Sequence, residues 1–159
     1  MPVSTRIEEV RNEITALAQA SSTATEVMQG VCRVLHQRML KYNWVGFYML
    51  ESGATPPMLV LEAFVGAMTP HTRIPLNQGI CGAAASSGKT IVVDDVSKDP
   101  RYLACSLETK SEIVVPIFVR GQVAGELDID SHFAAAFGTE DQQLVQYCAE
   151  VVGKKLEKA

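Results

Sequence analysis

Apolar residues recur at helical spacing through the first forty positions: Ile7, Val10, Ile14 and Leu17, then Val27, Val31, Val34 and Leu35. A stripe of this period gives a helix one apolar face, so two amphipathic helices are expected, separated by SSTAT at 21–25. Thr5 with Glu8, and Thr23 with Glu26, match the spacing of a capping box and mark the two starts. From residue 43 the pattern changes to β-branched and aromatic runs. NWVGFYML (43–50) and MLVLEAFV (58–65) flank the turn residues SGATPP and read as a hairpin. A loop through Pro70 and Pro75 follows. GICGAAASSG (79–88) then reads as a short helix of small residues ending at Gly88, and TIVVDD (90–95) as a strand. The stretch 95–110 has turn residues and no sustained period, which predicts a long loop with one or two helical turns. EIVVPIFV and QVAGELDIDS flank VRGQ, a second hairpin signal with Gly121 at its turn. Leu144, Val145, Cys148, Val151, Val152 and Leu156 place a closing helix over about 139–155.

This order of elements predicts an α+β domain. Its centre is an antiparallel sheet, with the two N-terminal helices and the C-terminal helix packed on it. At 159 residues, 47% hydrophobic and 20% charged, the chain is long enough to bury a full core as a single domain over 1–159. Within it, 1–40 form the helical segment and 41–157 the core. The chain has no run of the roughly 20 apolar residues that a membrane span needs. MPVSTRIEEV lacks the apolar centre of a signal peptide, so a cytoplasmic protein is expected. A net charge of -4 without a Lys/Arg run argues against nucleic acid and membrane surfaces as partners.

The candidate chemistry lies in ELDIDS (126–131). In a strand, Glu126, Asp128 and Asp130 share one face while Leu127 and Ile129 share the other. A solvated acidic face is the simple account of such alternation. The second hairpin adds Glu112 from the neighbouring strand, so four acids can line one pocket. Carboxylates packed together repel, and either a retained proton or a bound cation such as an ammonium relieves them. In NWVGFYML, Trp44, Gly46 and Tyr48 fall on one face, either as core or as an aromatic wall for a cation or a sulfur-containing side chain. The cysteines are Cys32, Cys81, Cys105 and Cys148, with no C-x-x-C pair, and the three histidines have no metal-ligand spacing. No metal and no cofactor are expected. Cys32 and Cys148 fit core packing on their helices.

Taken together, NWVGFY, GICGAA, the AC of YLACSLETKSEIVVPI, and GELDIDS resemble GAF domains, in particular the free methionine-(R)-sulfoxide reductases, over most of the chain. The resemblance implies reduction of free L-methionine-(R)-sulfoxide by a thiol, through sulfenic acid and disulfide intermediates. It places the nucleophile on Cys105, a resolving thiol on Cys81, and the acid cluster on Glu112, Asp128 and Asp130, with Asp130 among the catalytic residues. The pocket wall falls on Trp44 and Tyr48. A thioredoxin-type reductant and a homodimer are also implied. Two departures stand out. His71 in PHTRI occupies the place of a further family cysteine, and RYLACS replaces GHIACD. The alternative class is a non-catalytic GAF module that binds a small amino-acid-like ligand as a sensor.

Overall fold

The computed structural model describes residues 4–51, 53, 55–103 and 107–158. Among these, four α-helices and six strands occur in the order α1 (Thr5–Ala20), α2 (Ala24–Arg38), β1 (Trp44–Glu51), β2 (Met58–Val65), β3 (Arg73–Pro75), α3 (Gly79–Ser87), β4 (Ile91–Val93), β5 (Ser111–Val119), β6 (Gln122–Ser131) and α4 (Thr139–Glu157). One antiparallel sheet holds all six strands in the order β3-β2-β1-β6-β5-β4. The α+β architecture expected from the periodicity is the one observed.

Local sequence explains most boundaries. The Thr23 hydroxyl accepts the Glu26 N–H at 3.2 Å and caps α2 as its box predicts. In α1 the cap sits one residue earlier than Thr5 and Glu8 imply, because the Ser4 hydroxyl accepts the Ile7 N–H. The β5–β6 turn is Arg120-Gly121, with φ of 51° and 79°, the doubly left-handed pair that twists a two-residue hairpin correctly. β3 lies where a plain loop is expected. Its three residues are too short to show a period, and pairing with β2 makes it a strand. Among its described residues, the loop at 95–110 contains one 3-10 turn, at Val96–Lys98.

The sheet separates two apolar layers. Val45, Phe47, Ile113, Val115, Ile117, Leu127 and Ile129 face α1, α2 and α4, and this side holds the larger core. Cys32 and Cys148 are buried there, as expected of small apolar side chains, and burial pushes the Cys32 thiol up to about 12. The opposite face carries Trp44, Tyr48 and Val114, with α3 laid across β5 and β6. No helix among the described residues is long and apolar enough to cross a membrane.

Leu127 is fully buried in the larger core, with its neighbours on β6 pointing to the other face. Leu127→Ala should lower the unfolding free energy by about 2–5 kcal/mol through lost burial and a residual cavity. Urea titration monitored by circular dichroism measures this; a loss below about 1 kcal/mol would show that the layer is not close-packed.

Candidate active site

Strand register builds the site row by row. Asp130 lies between Trp44 of β1 and Glu112 of β5, Asp128 between Gly46 and Val114, and Glu126 between Tyr48 and Pro116. Three alternate acids of β6 and the first acid of β5 therefore share the face under α3. They are not solvated: Glu112, Glu126, Asp128 and Asp130 are all buried, Glu126 completely. α3 brings Cys81 onto the same face, where its thiol donates to Asp128 Oδ2 at 3.4 Å. Sulfur also lies against Glu126, whose two oxygens have no other hydrogen-bonding neighbour among the described residues.

Burial dominates the electrostatics. It pushes the Cys81 thiol well above its ordinary value, and the charges of Asp128, Glu126 and Glu112 push it further. Glu112 is raised well above the usual carboxyl range by burial and by the charges of Asp128 and Asp130. Glu126 and Asp130 are raised well above theirs by burial and the Asp128 charge, against hydrogen bonding to Cys81 and Glu112 respectively. Asp128 is raised by burial too, but hydrogen bonds from Glu112 and Cys81 hold it back. Glu112 is thus held toward its protonated form beside both aspartates. No Lys, Arg or His is among the groups acting on these five side chains.

The aromatic wall is rigidly placed. Trp44 stacks on Phe64 of β2 at 5.8 Å and donates its indole N–H to the Ala67 carbonyl at 3.0 Å. The Tyr48 hydroxyl donates to the His71 carbonyl at 2.6 Å. Both aromatics therefore tie the β2–β3 connection to the sheet. Gly46 is required between them, because a Cβ there would come within 2.3 Å of the indole. A cavity of about 220 Å³ opens beside Trp44 and Asp130, lined also by Asn43, Thr69, Thr109 and His132. That is small against the roughly 300–1,000 Å³ of drug-sized sites and suits a ligand of amino-acid size.

Six of the seven residues to which the resemblance assigns a role, Trp44, Tyr48, Cys81, Glu112, Asp128 and Asp130, lie on this face of the sheet. The seventh, Cys105, lies outside the described residues. Phe64 and the hydrogen-bonded role of the loop at 66–72 were not legible. Phe64 is one of several apolar residues in an ordinary strand, and only the β1–β2 register sets it against Trp44.

Residues 23–156 match the family model described as GAF domain, which covers most of the chain. The chain belongs to the GAF domain family. Within it, this GAF domain is similar to the free methionine-R-sulfoxide reductase of Escherichia coli strain K12, with 33% identity over 135 residues, covering 85% of this chain and 79% of the relative. Among solved structures it resembles the free methionine-R-sulfoxide reductase of Neisseria meningitidis in complex with its substrate, with a TM-score of 0.89 and 33% identity, over 99% of this chain and 93% of that one. The type II enzyme of Thermoplasma acidophilum is also similar, with a TM-score of 0.79 and 40% identity, over 89% of this chain and 96% of that one.

Two predictions follow from this GAF domain's geometry. Gly46→Ala should displace the indole, and since Trp44 is the only tryptophan, a red shift of the intrinsic fluorescence reports it directly; unchanged emission would mean that the ring accommodates the methyl group. The second concerns pH. A carboxyl whose folded value is raised stabilises the fold below the unfolded value of about 4, and this contribution is lost as pH rises toward the raised value. In a chelator, melting temperature should therefore fall from about pH 5 to pH 9, and less steeply in Glu126→Gln. Equal slopes would show that Glu126 ionises normally.

Proposed function

We propose that this GAF domain reduces free L-methionine-(R)-sulfoxide to methionine. One observation carries the reading: a cavity of amino-acid size, bordered by Trp44 and Asp130, opens beside a buried set of carboxyls that shares its sheet face with the Cys81 thiol. The similarity to reductases supports the same reading. An ammonium group entering beside Asp130 would supply the cluster of Glu112, Asp128 and Asp130 with a countercharge, and the methyl-bearing sulfur would lie along Trp44 and Tyr48. Peptide-bound methionine sulfoxide lacks that ammonium group.

In this reading the Cys105 thiolate attacks the sulfoxide sulfur while a carboxyl proton from the cluster, delivered through Asp130, reaches the oxygen. Methionine departs, and the oxygen is left on Cys105 as a sulfenic acid. Sulfur in the substrate is reduced by two electrons and Cys105 is oxidised by two. Cys81 then condenses with the sulfenic acid, forming a Cys81–Cys105 disulfide and releasing water, with Asp128 as the base that faces its proton. A thioredoxin-type dithiol restores both thiols by exchange and itself becomes a disulfide. The elevated Cys81 thiol supports this division of labour, because a thiol held protonated is a poor first nucleophile. No organic cofactor is called for. We also place the working form as a homodimer, with the N-terminal helices and α4 offering the surface.

The test is a quenched single turnover with free substrate, followed by mass spectrometry. Wild-type protein should yield one methionine and a Cys81–Cys105 disulfide. Cys105→Ser should yield none, and Cys81→Ser should complete the first turnover but lose thioredoxin-supported cycling. With dithiothreitol as reductant, a peptide with internal methionine sulfoxide should react far more slowly than the free amino acid. Cys105 still reduced after exposure to substrate would overturn the reading in favour of a non-catalytic ligand-binding module, the direction in which His71, at the family cysteine's position, points.

A further inference from the structure

The spacing of cysteines and histidines along the chain has no metal-binding signature, yet the fold assembles one. Cys81 on α3, Glu112 on β5 and Asp128 on β6 each present a ligand atom such that all three lie within 4.8 Å of one another. All three residues are buried. A second observation points to a bound cation. Glu126 is completely buried against the Cys81 sulfur, and among the described residues that thiol, whose single proton goes to Asp128 Oδ2, is the one group beside its oxygens, which are left without a donor of their own. Asp128 Oδ1 is in the same condition. Buried polar oxygens without partners are rare and costly, and here they converge on a thiol.

The donor set selects the kind of cation. Magnesium and calcium are hard ions that prefer oxygen ligands, and a sulfur donor does not suit them. A thiolate with two carboxylates suits an ion of the zinc class, which accepts mixed sulfur and oxygen ligands in a four-coordinate shell. Bonds of about 2.3 Å to sulfur and about 2.0–2.2 Å to oxygen set tetrahedral ligand atoms roughly 3.5 Å apart. Cys81 sulfur and Asp128 Oδ2, at 3.4 Å, already stand at that spacing, and all three ligand atoms lie within 4.8 Å of one another. Glu126 is a further donor beside the sulfur.

We propose that Cys81, Glu112 and Asp128 form a binding site for a zinc-class divalent ion, held in competition with the ammonium group of an amino-acid ligand. Binding exchanges the thiol proton of Cys81, which passes to solvent, for a sulfur–metal bond, and nothing is oxidised or reduced. The site shares Glu112 and Asp128 with the substrate reading but requires no catalysis.

Cadmium titration of the full chain, reduced with a phosphine and stripped of metal beforehand, tests this through the ultraviolet thiolate-to-cadmium band. Saturation at a single ion per chain is expected. The band should vanish in Cys81→Ser, persist in Cys105→Ser, and need about 10- to 100-fold more cadmium in Glu126→Gln. No band in the wild type, or a band surviving in Cys81→Ser, overturns the proposal. Should Cys81→Ser fail to fold by circular dichroism, Asp128→Asn keeps the thiol, and unweakened binding there overturns it as well. Free methionine should displace the cadmium. Cadmium held at Cys81 but indifferent to methionine would leave the metal site standing and remove the ammonium from Glu112 and Asp128.

Discussion

Four carboxyls and a thiol share a buried face of the sheet, and no Lys or Arg among the described residues is one of the groups acting on them. Burial of this kind is unfavourable in the ligand-free protein unless protons are retained, and every one of these groups is pushed toward its protonated form. The larger core offsets that cost. Three helices packed on the opposite face bury the alternate residues of the same strands, so the strand that carries the acids also carries Leu127 and Ile129. A one-residue slip of β6 would exchange the two sets and lose both layers. The register that holds the fold together therefore also determines the site.

The same economy governs the aromatic wall. Trp44 and Tyr48 face the acids from the strand adjoining β6, and each uses its polar atom to hold the loop after β2. Ligand wall and loop support are one set of side chains. Gly46 is the counterpart of this arrangement, since the indole lies in the space where a side chain would stand. The cavity beside Trp44 and Asp130 is consequently bounded by parts fixed from two directions, which is the condition for a preorganised small-molecule site.

Cys81 links the reaction chemistry to the electrostatics. Its proton faces Asp128, and its sulfur stands against Glu126. A thiol so placed is protected in the resting state and becomes a strong ligand or nucleophile only when something takes its proton. An amino-acid ligand and a soft divalent ion make opposite demands on the same carboxylates, because one supplies hydrogen-bond donors and the other requires bare oxygen and sulfur.

The helices, the two hairpins and the two-faced character of β1 and β6 follow from the sequence alone, because periods of 3.6 and 2 are local properties of the chain. So does the separation of Leu127 and Ile129 from Glu126, Asp128 and Asp130. Two local readings shift on folding. The α1 cap moves to Ser4, where a hydroxyl already reaches the Ile7 N–H, and three residues at 73–75 become a strand because β2 offers an edge. Whether the acid face meets water or protein is not a local property. It depends on where α3 lies, and only the tertiary structure places that helix over β5 and β6, buries Glu126 to its last oxygen, and brings Cys81 from a distant segment to Glu112 and Asp128 of the second hairpin.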